Sequence, residues 1–403
     1  LSGRNEKKLA VVGWLLSGIQ KINKASLIVM RKILFVAVCI SFVLCSCLLG
    51  RTIVYNDPGM EDYKILPYSH VKATNYQPLP ESSRYNTFKL PDSLWQELQQ
   101  TQTIAFLIFQ HDSLIYEWYE KGYSDSSHTN PFSVTKSITS ILTGIALKEG
   151  KIKSLDEPVG NYYEPYKRAD LSGLTLKHLL TMSSGLNYHD DLNPVGQLAH
   201  LYYGRDLPKF VNTLKKEKEP GYEFRYKNAD PEVLGVALRN AVGMSITDYA
   251  TEKLWGPIGA AHDAYWLTDH KGGMEKTYCC FHTDARDIAR IALLYEHMGN
   301  WHGLQIVDTS YVKASLTPIN IPDGEKGDSV ICRRYGYLWW LRNVNGKIDY
   351  RADGMRGQYI GTLPDKDIIF VRLGKRDWYK AGQRFGKFPF LYKQIVESLR
   401  QMF

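Results

Sequence analysis

"PFSVTKSIT", residues 131–139, sets a serine three residues before a lysine at the mouth of an apolar-striped helix. The issue is whether Ser133-Val134-Thr135-Lys136 is a nucleophile with its base. By composition alone about one Ser-x-x-Lys match is expected in a chain of this size. Two others do occur, Ser69-His70-Val71-Lys72 and Ser310-Tyr311-Val312-Lys313, so context must separate them. A serine hydroxyl attacks a carbonyl only if a base takes its proton, and lysine serves only if burial or nearby positive charge lowers its pKa. From Ser133 onward Val134, Ile138, Ile141, Leu142 and Ile145 share one helical face, and Gly150 ends the run. Lys136 therefore sits one turn from Ser133 on the same side. The helix N-terminus carries partial positive charge, which favours a developing anion and disfavours a protonated lysine. Ser69 lies in a Pro-rich stretch, and Ser310 in a polar connection with no comparable apolar helix after it. The plain alternative is that Ser133 caps its helix and Lys136 is solvated.

Outward from this stretch, "TIAFLIFQ" (103–110) and "SLIYEWY" (113–119) read as two strands joined at His111-Asp112. Residues 165–265 are helix and loop with few strand-like runs. A second helical stripe covers Arg286 to Met298, with Ile288, Ile291, Ala292 and Tyr295 on one face. After it come "YGYLWWL", an Asn345-Gly346 turn, "KIDYRA", "GQYIGTL", a turn at Pro364-Asp365-Lys366-Asp367, "IIFVRL" and a C-terminal helix. A strand meander at the C-terminus and a hairpin near the N-terminus predict one antiparallel sheet built from both chain ends. The fold class is α+β: that sheet flanked by helices, with the helical middle inserted as a second lobe. Sites commonly form between such lobes.

The 403 residues, 44% hydrophobic and 23% charged, suffice for a substantial core. The net charge of +8 is misleading: residues 1–51 hold eight Lys or Arg and one Glu, which leaves +1 for the rest. The electrostatic footprint of a nucleic-acid binder is thus missing, and no nucleic-acid partner is expected. Within the basic segment, Ile33 to Gly50 holds 18 residues without a charge or proline, long enough to span a membrane. With Met30-Arg31-Lys32 before it, the run has the order of an export signal. Leu44-Cys45-Ser46-Cys47 is similar to a bacterial lipoprotein cleavage box, which makes Cys47 the candidate for lipidation. The body is expected in the cell envelope, held to the membrane through residues 1–51. Residues 52–92, rich in Pro, Asn, Ser and Tyr, read as a tether, and 93–403 as the domain. Outside the apolar run stand Cys279, Cys280 and Cys332. Adjacent cysteines seldom pair, so buried thiols or a bridge from Cys332 are the expectations. His178, His189 and His200 lack partners at zinc-site spacing, so neither a metal nor another cofactor is expected.

The larger pattern is an ordered set: "FSVTKS" (132–137), "LTLKHLLTMSSGL" (174–186), Tyr226-Lys227-Asn228, "TDARDIARIALLYEHMGNWHGLQIV" (283–307) and "DGMRGQ" (353–358). Among 27 tyrosines only Tyr226 begins a Tyr-x-Asn triplet. In this set the chain resembles the serine β-lactamase-related family, which includes class C β-lactamases, D-alanyl-D-alanine peptidases, carboxylesterases and 6-aminohexanoate-dimer hydrolases. The likeness covers roughly residues 100 to 400, and it implies a β-lactamase/transpeptidase-like fold and a covalent acyl-enzyme. Ser133 would attack, Lys136 would accept or relay its proton, and Tyr226, its phenol kept acidic by the lysine, would pass a proton to the leaving group. Asn228 would hold substrate or Lys136. The N–H groups of Ser133 and Gln358 would form the oxyanion hole, and Gly357 would let substrate backbone approach closely. Asp190 and Asp191 fall where the hydrolase branch places a substrate-contacting carboxylate, and Trp118, Trp339 and Trp340 are candidates for the cleft wall. Where β-lactamases and peptidases commonly place a cation, this chain has Met355, with Arg356 the nearest substitute. The resemblance thus favours hydrolysis of small ester, amide or peptide substrates over β-lactamase or carboxypeptidase action. A penicillin-recognising binding module without turnover is the non-enzymatic alternative.

Overall fold

The computed structural model describes residues 29–35, 48–55, 57–191, 193–376 and 390–403. Along the chain come β1 (Tyr68–Val71), α1 (Asp92–Gln100), β2 (Thr103–Gln110), β3 (Ser113–Tyr119) and α2 (Thr135–Lys148). Short helices at Leu176–Leu180, Gln197–Tyr203 and Leu207–Asn212 precede α3 (Ala229–Val242). Then follow β4 (Ala264–Leu267), β5 (Phe281–His282), α4 (Ala285–Glu296) and a hairpin of β6 (Ile321–Asp323) and β7 (Gly327–Cys332). The chain closes with β8 (Trp340–Val344), β9 (Lys347–Gly354), β10 (Gln358–Leu363), β11 (Ile368–Gly374) and α5 (Phe390–Met402).

Six strands make the main sheet in the order β8-β9-β10-β11-β2-β3, every pair antiparallel. The junction of β11 with β2, Ile368 opposite Gln110 and Phe370 opposite Ile108, joins the two chain ends as the alternating apolar runs require. β2 alternates between two cores: Ala105, Leu107 and Phe109 enter the core that holds α2 and α4, while Phe106 and Ile108 enter the one that holds α1 and α5. Both faces of its centre are covered, which is why its seven residues from Thr103 to Phe109 are all buried. Between Tyr119 and Ala264 no strand is found among the described residues.

The stretch expected as a tether is part of the folded body. β1 pairs with β4, Val71 opposite Ala264, and forms the edge of a separate three-stranded sheet. Met60, Leu66 and Val71 are buried in the main core, and Asn130 N–H bonds Met60 C=O at 2.8 Å. Composition concealed this because the three apolar anchors are too widely spaced to show a period, and the pairing partner lies nearly 200 residues away. Much of the apolar run at 33–50, Cys47 included, lies outside the described residues. The described helices include none long and apolar enough to cross a membrane. Helix Leu48–Tyr55 rests against the body, with Tyr55 stacked on Tyr203 at 6.1 Å.

The cysteines also depart from expectation. Cys279 and Cys280 are joined to each other and Cys332 is free and buried. Cys280 adopts φ 75°, so the chain turns sharply at the pair rather than running extended.

Candidate active site

Ser133 sits in a 3₁₀ turn, Phe132–Val134, that runs directly into α2. No side chain caps this helix start, so Ser133 is not spent as a cap. Its backbone N–H has no acceptor among the described residues. Lys136, 1% exposed, brings Nζ to 2.7 Å from Ser133 Oγ, 2.7 Å from Asn228 Oδ1 and 2.8 Å from the Tyr278 carbonyl. Desolvation lowers the lysine to about pH 7, a nearby Asp190 opposing it in part. As a neutral amine, Lys136 has two protons and one lone pair. Asn228 Oδ1 and the Tyr278 carbonyl take the protons, and the lone pair is left for the Ser133 hydroxyl to donate into.

The orientation of Asn228 follows from its neighbour. Asn228 Nδ2 donates to Asp190 Oδ1 at 2.8 Å, and an ionised carboxylate can only accept, so the amide oxygen must turn to Lys136. Tyr188 OH donates to the same Asp190 oxygen at 2.6 Å. Asp190 thus joins the site by holding Asn228, whereas Asp191 serves a local turn, accepting from Asn193 N–H at 3.1 Å. The Tyr278 carbonyl, which carries no sequence signature, is fixed because α2 is tied to its segment. Thr139 Oγ1 donates to Thr277 C=O at 2.7 Å, and Phe281 N–H donates to Thr135 Oγ1 at 3.2 Å. The joined cysteines follow Tyr278 immediately.

Desolvation pushes the Tyr226 phenol well above its ordinary value, with the neighbouring Ser133 hydroxyl opposing it in part. The expectation of an acidified phenol is therefore corrected. Lys136 Nζ lies over the ring, 5.1 Å from its centroid, rather than as a cation beside the oxygen. Burial therefore favours the neutral phenol in the resting protein. The Tyr226 backbone N–H is held by Glu325 on the β6–β7 turn at 3.1 Å, a contact that sequence reasoning missed.

Facing Ser133 is the turn from β9 to β10. Here Gly354 makes a close approach within the protein: a Cβ at Gly354 would stand 2.2 Å from the Pro131 carbonyl oxygen. Gly357 instead supplies a left-handed φ of 76° next to Arg356 at 66°. The Gln358 side chain is fully buried and structural, donating to Met355 C=O at 3.0 Å and to Gly374 C=O at 2.6 Å. Arg372, also buried, donates to the Arg356 and Gly357 carbonyls at 2.8 Å each. Arg356 donates to Pro58 C=O at 3.0 Å and lies over the Phe132 ring. Of the three tryptophans only Trp340 belongs to the cleft, stacked on Tyr226 at 5.4 Å. Trp118 packs on Trp95 and Trp339 on Tyr295.

The two other Ser-x-x-Lys matches stay on the surface. Lys72 pairs with Asp263 at 2.7 Å, and Ser310 and Lys313 lie exposed on a helix, Thr309–Ser315, where a connection was expected. His178 completes a capping box with Thr175, and His200 stacks on Phe210. Among the described residues His262, Asp284 and Asp287 come close enough to share an ion. Their oxygens are already committed to Ala261 N–H, His262 N–H, Asp287 N–H and Arg290.

The Beta-lactamase family model matches residues 92–379. A 6-aminohexanoate-dimer hydrolase of Paenarthrobacter ureafaciens is 25% identical over 307 residues, covering 71% of this chain and 75% of the relative. A protein of Bacillus anthracis provisionally described as a 6-aminohexanoate-dimer hydrolase superposes with a TM-score of 0.68 at 23% identity, over 85% of this chain and 91% of the other. A Bacteroides dorei protein provisionally described as a β-lactamase superposes with a TM-score of 0.64 at 16% identity, over 77% and 97%. At these identities the two structural likenesses speak to the fold, which is the β-lactamase/transpeptidase-like one expected from the motifs.

Proposed function

Since this chain belongs to the Beta-lactamase family, a family of serine hydrolases, we propose that it hydrolyses small esters or amides through an acyl-enzyme on Ser133. The observation that carries this reading is the three-way placement of Lys136 Nζ between Ser133 Oγ, Asn228 Oδ1 and the Tyr278 carbonyl. In acylation the Ser133 Oγ–carbonyl bond forms as its proton moves to Lys136. The developing oxyanion meets the Ser133 N–H and an N–H of the turn at 355–358, Gln358 being the expected donor. Tyr226 then donates its proton to the leaving group and regains one through Lys136. Water attacks the acyl carbon in the second half, with the same groups running in reverse.

Met355 stands where a cation would meet the carboxylate of a β-lactam, and Arg356 is engaged with Pro58 and Phe132. This favours esters and amides over β-lactams. The decisive experiment is pre-steady-state release of nitrophenol from a short-chain nitrophenyl ester by the wild type and by Ser133→Ala. A stoichiometric burst that vanishes in the variant is expected. Release that is indifferent to Ser133 would remove the proposal and favour a binding module. For location, the basic flank and apolar run at 33–50 support export and attachment at the envelope through Cys47 or a membrane span. Fractionation of cells expressing Cys47→Ala, with radiolabelled palmitate, separates the two anchors.

A further inference from the structure

The helix Leu48–Tyr55 has its polarity reversed. Its three exposed side chains are Leu49, Ile53 and Val54, at 45%, 61% and 48%, while its one charged residue, Arg51, is turned into the body at 6%. Leu49 and Ile53 lie one turn apart with Val54 next in sequence, so the three share one outward face. A helix on the surface of a protein in water turns its apolar stripe inward and its charges outward. A single exposed leucine would mean little, but an outward face with no charge on it, over a buried arginine, is informative. Thr52, at the flank, donates its hydroxyl to the Leu49 carbonyl at 2.8 Å, so that group is satisfied without water.

The chain leading into the helix indicates what covers this face. The helix begins inside the uncharged run at 33–50, and five more exposed apolar side chains, Val29, Met30, Ile33, Leu34 and Phe35, fall on the helical stretch at 29–35. A protein partner fits poorly, because three side chains offer far less than the roughly 800 Å² per partner that a stable interface buries. Eight residues, about 12 Å of helix, cannot cross a bilayer but can lie along its surface with one face among the acyl chains. The residues that follow are pinned to the body. Tyr55 stacks on Tyr203, Pro58 C=O accepts from Arg356 at 3.0 Å, Met60 C=O accepts from Asn130 N–H at 2.8 Å, and Asp62 accepts from Tyr202 OH at 2.6 Å.

We infer that Leu49, Ile53 and Val54 lie in the surface of a lipid bilayer and hold the hydrolase body directly against the membrane, with no flexible spacer between the two. The inference rests on the proposed anchorage through residues 1–51, and adds to it a fixed seat for the folded body.

The test uses the full chain in vesicles of phosphatidylethanolamine and phosphatidylglycerol, with a nitroxide carried on a genetically encoded p-acetylphenylalanine in place of Ile53. The control carries the label in place of Val330, an exposed apolar residue on β7. Spin resonance then compares collisions with oxygen, which concentrates among acyl chains, and with a nickel chelate, which stays in water. The ratio of the two is expected to be about tenfold or more higher at 53 than at 330, and to fall to the level of 330 when Leu49→Gln/Val54→Gln is added. Equal ratios at 53 and 330, in chains that float with the vesicles, would overturn the inference and leave the anchorage standing. A high ratio that survives Leu49→Gln/Val54→Gln would trace the depth to the upstream anchor alone and refute the seat. Dipolar broadening between labels at 53 would assign the face to a second copy of the chain and refute it as well. Chains that do not float with vesicles remove the anchorage reading itself, and the inference falls with it.

Discussion

At Lys136 the chemistry proposed above turns on one proton. With burial lowering the amine to about 7, the base is half protonated near neutral pH, and only the neutral form can receive the Ser133 proton. The sign follows directly: kcat/KM for a nitrophenyl ester should rise as pH passes upward through about 7 and fall about tenfold per unit below it. A profile flat from pH 5 to 9 would refute Lys136 as the base. Asp190 sets the second test. Its carboxylate is the reason Asn228 shows Lys136 an oxygen. Asp190→Asn can offer Asn228 an acceptor or a donor, so the amide loses its fixed orientation and can present NH₂ to the lysine. Turnover should drop by about 10- to 100-fold, with the acid limb of the pH profile displaced. Asp190→Asn with a lower kcat and an unmoved limb would mean that the carboxylate contacts substrate instead of positioning Asn228.

At the scale of elements, the site is a meeting of the turn before α2 with the β9–β10 turn. Gly354 makes the meeting possible, since any Cβ there would stand 2.2 Å from the Pro131 carbonyl, two residues before Ser133. Backbone cannot yield as a flexible side chain can. Gly354→Ala should therefore cost about 1–3 kcal/mol of stability and lower kcat more than stability alone explains, through displacement of Ser133. A variant with wild-type Tm and kcat would show that the two turns are not in register in solution. This junction also marks what the chain discloses in one dimension. Ser133, Lys136, Tyr226 and Asn228 were legible because a helical spacing and a rare triplet announce them. Gly354, the Tyr278 carbonyl and Glu325 were not. They act through backbone atoms or across 99 residues and more, where no local period or residue type carries a signal. Tyr226 was found, but its acidity was misjudged, because desolvation at its hydroxyl depends on packing that the triplet does not encode.

For the whole molecule the question is where the folding unit begins. The Beta-lactamase family model starts at residue 92, and composition suggests a tether before it, so both place the boundary there. The packing places it earlier. β1 completes the sheet beside β4, and Met60, Leu66 and Val71 enter the main core. Gln77 accepts from buried Arg290 through its carbonyl at 2.8 Å, and Arg356 of the β9–β10 turn donates to Pro58. Burying each of the three apolar side chains is worth about 1.5–3 kcal/mol as an upper estimate. Their sum is comparable to the entire net stability of an ordinary domain, about 5–15 kcal/mol. Removal also exposes the β4 edge and leaves the Arg290 guanidinium short of an acceptor in a buried position. A chain beginning at residue 92 should consequently fail to fold, or melt about 15 °C or more below one beginning at residue 57. Its acylation by the nitrophenyl ester should be lost in parallel, because the Pro58 contact steadies the turn that faces Ser133. Thermal unfolding followed by near-ultraviolet dichroism on the two chains decides it. Should the shorter chain melt within about 3 °C of the longer one and still acylate, residues 57–91 would be a tether after all, merely resting on a body that does not need them.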